Sequence, residues 1–334
     1  MHIREAALDD NHELQELQAK CPMGTTLILT TVNTPDFFAR AKAYESYKVF
    51  VACEDDRIIG SGACAIREAV VGGNICRVAY QFQLFTSPDH RRRSVATLLH
   101  QHQEDYLASE GVALSYVMIL EGNVPSMRFI EGHGFKLHRT LVMPSLAVSE
   151  EMDVASTGRV RRVTSADLAA VAQLLNVTWE GYDLCERTSA EALARFIDRT
   201  PQYSFDNLLV LEDQGQILAC LGFWDWSRIT RITVIAAAPE MRAFKPGDRL
   251  KQMLLTRIAF KEPQHLDVLL RYVNNLALRG GVGQIFCICE PDHVLLGSMK
   301  GFMRIDTAVN LCVKSFQEDV CLADNPVFID GIDL

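Results

Sequence analysis

The sequence predicts an α/β fold, a mixed sheet built twice in tandem. Three observations carry this. Antiparallel hairpins run into a strand–helix–strand passage in the first half. Similar stretches recur about 160 residues later. A Ser- and Glu-containing stretch of weak periodicity, Pro144 to Gly158, separates the two. The expected division is therefore 1–143, a linker at 144–158, 159–316, and an acidic tail at 317–334.

In the first half the expected order is a short strand at Ile3–Ala6, helices over Asp10–Ala19 and Pro35–Tyr44, and a hairpin around Asp55-Asp56. A long strand (Ile75–Thr86), a helix (Ser94–Glu110) and a strand (Leu114–Leu120) follow. A helix (Pro125–His133) and a strand (Phe135–Val142) close the half. The repeat is local. Ile3-Arg4-Glu5-Ala6 matches Val160-Arg161-Arg162-Val163, and the hairpin Val49–Gly60 matches Leu208–Leu218. Both halves end in helix–Gly–Phe–strand, with Gly134 and Gly301 suited to a left-handed residue after a helix.

Composition bounds the function. The chain has 334 residues, 49% of them apolar, with mean hydropathy +0.06, enough for a packed core. A net charge of −9 argues against general nucleic-acid or anionic-membrane binding. The ten cysteines are scattered, mostly in apolar runs, without paired metal-ligand spacing. No metal site is expected, and buried free thiols fit a reducing compartment. The start, Met1-His2-Ile3-Arg4-Glu5, lacks a signal-peptide core, and no 18-residue apolar run exists. The expected location is cytoplasmic.

The most informative segment is Thr86-Ser87-Pro88-Asp89-His90-Arg91-Arg92-Arg93-Ser94-Val95-Ala96-Thr97-Leu98. An apolar strand enters a basic turn that empties into small residues and then a helix. Unpaired N–H groups at a helix start, with partial positive charge and nearby arginines, suit a diphosphate. An ordinary solvated basic turn is the competing reading.

These features together resemble the GNAT superfamily of acyl-CoA N-acyltransferases. Its cofactor motif, Arg or Gln, two residues, Gly, one residue, Gly or Ala, is filled by Arg91, Ser94 and Ala96, with Ser in place of the central Gly. Its later motif is met by Asn123, Ser126, Phe129, Gly134 and Phe135. The match covers 1–143 by motif and 159–316 by order of elements. Ser115–Asn123 and Cys21-Pro22-Met23-Gly24 are also similar to a Hookless-like branch.

The resemblance implies acetyl-CoA as cosubstrate. The backbone of Leu84, Phe85 and Thr86 would pair with the pantetheine amides. Arg91, Arg92, Arg93, Ser94, Val95, Ala96 and Thr97 would hold the diphosphate. Asn123 would bond the pantetheine arm or cap the helix, and Phe129 would pack on the arm or in the core. The usual tyrosine position holds Ile130. Glu121 is the expected base or water relay, competing with a solvated loop carboxylate. Ser126 is a substitute acid, competing with a capping role.

In the second half, Arg231–Pro239 is expected to match the long strand Ile75–Thr86, with Glu240, Pro246 and Asp248 making the following turn hostile to diphosphate. That half reads as degenerate. Trp179, Tyr182, Phe223, Trp224 and Trp226 line either an acceptor cleft or the core. Gly280-Gly281-Val282-Gly283 reads as helix end and turn, not a phosphate loop. The tail is expected to add an edge strand or stay mobile.

The expected function is acetyl-CoA-dependent N-acetyl transfer to a primary amine of a small molecule or peptide. A non-catalytic acyl-CoA-binding protein is the alternative, and a scaffold binding no CoA is a third.

Overall fold

The computed structural model describes residues 1–334, except the side chain of Glu240. The first half comprises β1 (His2–Glu5), α1 (Asn11–Ala19), β2 (Leu27–Asn33), β3 (Ser46–Glu54), β4 (Arg57–Val71) and β5 (Asn74–Thr86). It continues through α2 (Val95–Ser109), β6 (Leu114–Leu120), α3 (Val124–Gly132) and β7 (Lys136–Ala147). The second half comprises β8 (Arg159–Arg162), α4 (Leu168–Thr178), α5 (Ala190–Arg199), β9 (Leu208–Asp213) and β10 (Gln216–Asp225). Then come β11 (Thr230–Ala237), β12 (Arg249–Leu250), β13 (Gln252–Phe260), α6 (Pro263–Arg279), β14 (Gln284–Phe286) and β15 (Arg304–Ser315).

Twelve strands form one sheet in the order β1-β3-β4-β5-β6-β15-β7-β14-β13-β10-β9-β8. The order is nearly a palindrome about the β15/β7 pair. The last strand of each half lies beside the other half: β15 pairs with β6, and β7 with β14. The two halves are therefore interlocked rather than beaded. Pro144–Ala147, expected in the linker, belongs to β7 and pairs with both β15 and β14. These residues are Pro, Ser, Leu and Ala, and Ser145 and Leu146 are buried, so the sheet's centre takes up a stretch whose periodicity is weak.

Helices cover the sheet. Gly60 lets α2 approach β4. A Cβ there would lie 2.7 Å from Val95 and 2.9 Å from Leu99. α6 buries Leu266, Leu269, Leu270, Val273 and Ala277, the spacing of a single helical face. Pro35–Tyr44, expected as one helix, folds as two short 3-10 turns, Phe37–Ala39 and Ala41–Ala43. Asp36 caps the first by accepting from the Phe38 N–H (2.9 Å), and Phe37, Phe38, Ala41 and Ala43 are buried. Gly134 and Gly301 have φ of +87° and +95°, as expected after their helices.

Two assignments change. β11 is not the counterpart of β5. It leaves the main sheet and pairs with β12 and with β2, a strand of the first half that sequence reading missed. The true counterpart is β13, flanked by β10 and β14 as β5 is flanked by β4 and β6. The turn around Pro246 and Asp248 therefore bears on no cofactor slot. The Glu240 side chain lies outside the described residues. From Val327 on, the acidic tail is not an edge strand but is packed into the molecule. Val327, Ile329, Asp330, Ile332 and Asp333 are buried between the halves.

Candidate active site

β5 and β6 pair in parallel at only three positions, Val78↔Leu114, Ala79↔Ser115 and Tyr80↔Tyr116. Beyond them the strands part. β5 stays bonded to β4 as far as Thr86, and β6 stays bonded to β15 as far as Leu120. The facing edges are left bare, with backbone donors and acceptors available to an extended ligand. The cause is local. Gln83 is left-handed (φ 52°), and the β4–β5 register slips between Ser61 and Ala63, bending β5 away. Leu84, Phe85 and Thr86 lie on the diverging stretch, where the pantetheine was expected.

The basic turn sits at the wide end. Arg92 and Ser94 are both left-handed (φ 62° and 59°), and Ser94 is the N-cap of α2. Glycine favours this conformation, and Ser94 adopts it at the place where the motif has Gly. The first helical bond runs from the Leu98 N–H to the Ser94 carbonyl (3.0 Å). The amides of Val95, Ala96 and Thr97 therefore precede the helix's own ladder. Arg93 pairs with Glu54 (2.6 Å), while Arg91 and Arg92 are exposed and carry no ion pair among the described residues. Two cations and a helix start are left to face an anion.

Asn123 accepts a hydrogen bond from the Ser126 N–H (3.3 Å), so it caps α3. Phe129 is half-buried beside His133 and His100, with ring centres 4.3 and 5.7 Å away. Ile130 is buried in the core beneath α3. Glu121 is exposed just past the end of β6, without a side-chain partner among the described residues. Along the strand it stands five residues beyond Tyr116, about 16 Å at strand rise. It thus occupies the wide end of the slot.

The narrow end holds a cluster of buried aromatic and charged groups. Tyr80 stacks on Tyr116 and on Phe82, with centres 5.2 and 5.1 Å apart, and Tyr44 lies 5.6 Å from Phe82. Asp333, from the tail, is fully buried. Its carboxylate accepts from the Tyr44 and Tyr116 hydroxyls (2.7 Å each) and from both terminal nitrogens of Arg67 (3.1 and 3.0 Å). Arg40 donates to the Tyr80 hydroxyl (3.0 Å) and to the Asp333 carbonyl (3.1 Å). Burial raises the three tyrosine pKa values, and the Asp333 charge adds to this, so the hydroxyls stay protonated donors at neutral pH. Burial opposes the Arg67 charge, but Asp333, Tyr116 and Glu186 outweigh it. The sequence carried one signal for this cluster, acidic residues among apolar ones at the chain's end.

Trp179 is buried and Trp224 fully so. Trp179 stacks on Phe328 of the tail (4.1 Å) and lines a small, nearly filled cleft with Arg67, Glu186, Arg257 and Asp330. Trp226 lies over Arg40 (5.6 Å), whereas Tyr182 bonds His293 (3.0 Å). Of the five aromatics expected together, Phe223 and Trp224 belong to the core instead.

Residues 2–127 match the family model "Acetyltransferase (GNAT) domain". This match to a GNAT domain lies within the first half, the part that carries the basic turn and the β5/β6 slot. No curated protein matches the chain by sequence. Among solved structures it is similar to Saccharomyces cerevisiae N-myristoyltransferase with bound myristoyl-CoA. Identity is 11% and the TM-score 0.69, over 98% of this chain and 85% of that one. It is similar as well to the glucosamine N-acetyltransferase region of a fungal multi-domain β-N-acetylglucosaminidase (12%, TM-score 0.64, 94% and 38%). A third is a probable N-acyltransferase from Enterococcus faecalis (11%, TM-score 0.53, 94% and 72%). The chain thus shares its fold with that N-myristoyltransferase along nearly all its length. No helix is long and apolar enough to cross a membrane, and no metal-binding cluster occurs among the described residues.

Proposed function

We propose that the protein is an acetyl-CoA-dependent N-acetyltransferase acting on a primary amine of a small molecule or peptide. The observation that carries the reading is the β5/β6 slot, which opens toward the left-handed Arg92–Ser94 turn and its free helix start. The diphosphate would lie on the amides of residues 92–97, near Arg91 and Arg92. The pantetheine would run along Leu84–Thr86, bringing the thioester toward Tyr80 and Tyr116. Asn123 and Phe129 would border the arm from α3.

The amine nitrogen, neutral after losing a proton, would attack the thioester carbonyl. The C–S bond breaks, and the departing sulfur takes up a proton. The Tyr80 hydroxyl, which accepts from Arg40 and has its own proton unengaged, is the suitable donor at the narrow end, whereas Glu121 stands at the wide end, away from the reacting atoms. Tyr80 stacks on Phe82 and Tyr116 at the slot's vertex with Tyr44 beside Phe82, an aromatic cluster that would favour a short acyl group over a long one. The ten free thiols, most of them buried, support a cytoplasmic location.

A second reading is supported by Ile130 and by Asp333, whose oxygens are already engaged by Tyr44, Tyr116 and Arg67. It makes the protein an acyl-CoA binder without catalysis. Thiol release from acetyl-, butyryl- and myristoyl-CoA against a panel of primary amines separates the two. Amine-dependent release, largest with acetyl-CoA, is expected. Tight binding with no release for any amine would favour the second reading.

A further inference from the structure

The second half repeats the slot. β13 and β14 pair in parallel at three positions, Gln252↔Gln284, Met253↔Ile285 and Leu254↔Phe286, and then part. Three residues past the last pair, Arg257 is left-handed (φ 48°), as Gln83 is three residues past Tyr80. Here, however, the gap is filled. Residues 328–331, Leu255–Ile258, Cys287 and Ile288 together enclose one space too tight for a water, and the Gly331–Asp333 turn packs on β13. The Arg257 N–H, at the bend, donates to the Asp330 carboxylate (2.9 Å). Gly331 touches the strand so closely that a Cβ would lie 1.9 Å from the Leu255 carbonyl oxygen. Upstream, Phe328 is tied to Asp183 (2.9 Å) and Val327 to Glu290 (2.9 Å).

The mouth differs as well. β13 reaches α6 through Lys261 and Glu262 alone, and α6 opens with Pro263, which has no N–H. No cradle of amides precedes this helix. From the filled slot the chain runs on to Asp333, which meets Tyr116 at the vertex of the first slot.

We propose that residues 327–333 are the resident occupant of the second slot, and that this seating positions Asp333 to hold Tyr44 and Tyr116 at the acyl end of the first. The consequence is one acyl-CoA per chain, with Asp330 and Gly331 as positioning residues. The inference rests on the transferase reading for its acetyl-CoA and kinetic arms. Amide exchange over 327–333 reads the segment without any carrier.

The test uses the full chain. Calorimetric titration with acetyl-CoA is expected to give one equivalent bound. Asp330→Ala and Gly331→Ala should each speed exchange across 327–333 and cut kcat at least tenfold, with the acetyl-CoA Kd within twofold. Asp330→Asn, which can still accept from the Arg257 N–H, should restore most of the turnover. This rescue separates lost seating from general destabilisation. Two equivalents of acetyl-CoA per wild-type chain would overturn the proposal. So would fast exchange across 327–333 in the wild type, or unchanged kcat in folded variants whose segment exchanges freely. Absence of any acetyl-CoA binding, with a protected segment, would instead overturn the transferase reading.

Discussion

The two halves share one topology and part company at a single place, the gap beyond the parallel strand pair. In the first half the gap opens onto a basic turn with free amides. In the second it is closed by the chain's own Asp330 and Gly331. The left-handed bends at Gln83 and Arg257 are alike. The difference therefore arises from what each half places at the mouth and in the groove, not from the sheet. Fold alone does not set chemistry, and this molecule holds the control in its own second half.

The largest expected contrast comes from a charge placed at each mouth. Ser94→Glu should weaken acetyl-CoA binding more than a hundredfold, because the new carboxylate faces the diphosphate at the helix start. Lys261→Glu, one residue before the Glu262 N-cap of α6, should change it less than twofold. Calorimetry reads both, with circular dichroism to check folding. Equal losses would break the comparison.

A smaller effect sharpens the site within the first half. Glu121→Gln should alter turnover less than threefold, since this carboxylate is exposed at the slot's wide end. A drop of a hundredfold at unchanged acetyl-CoA affinity would return it to proton transfer and move the acceptor to that end.

The smallest contrast concerns a repeated turn. Arg4 clamps Asp10 with bonds of 2.7 and 2.9 Å, and Arg161 clamps Asp167 with 2.7 and 2.8 Å. In both, the arginine's hydrogen bonds hold the carboxyl below its ordinary range, and Thr164 adds to the effect on Asp167. A depressed folded pKa gives stability that is present above the unfolded value, near 3.9, and lost as pH falls through the folded one. Asp10→Asn and Asp167→Asn should each cost about 1 kcal/mol at pH 7, with Asp167→Asn the larger. Urea titrations should show the gap to wild type shrinking as pH drops from 4 to 2. A gap that grows with acid would contradict the assignment.

Much of this was legible in the chain. The basic turn after Thr86, the hairpins and the glycines before Phe135 and Phe302 are local patterns, and local patterns survive folding. The exchange of β7 and β15 was not legible, because alternation marks a strand and not its partner. The mistaken match of β11 to β5 has the same origin. Both are apolar runs ending in Pro, yet β11 finds its partner in β2, about 200 residues earlier. The tail escaped for another reason. Asp330 and Asp333 look like solvated charges until Arg257, Arg67 and two tyrosines, all distant in sequence, enclose them. Glu121 was chosen for its nearness to Asn123 in sequence, but strand rise carries both away from the vertex.

The most direct measurement is a crystal structure with acetyl-CoA bound. The account predicts the diphosphate on the amides of residues 92–97, the pantetheine between β5 and β6, and the acetyl group near Tyr80 and Tyr116. A carrier bound between β13 and β14 with the tail displaced, or bound away from both gaps, would contradict it.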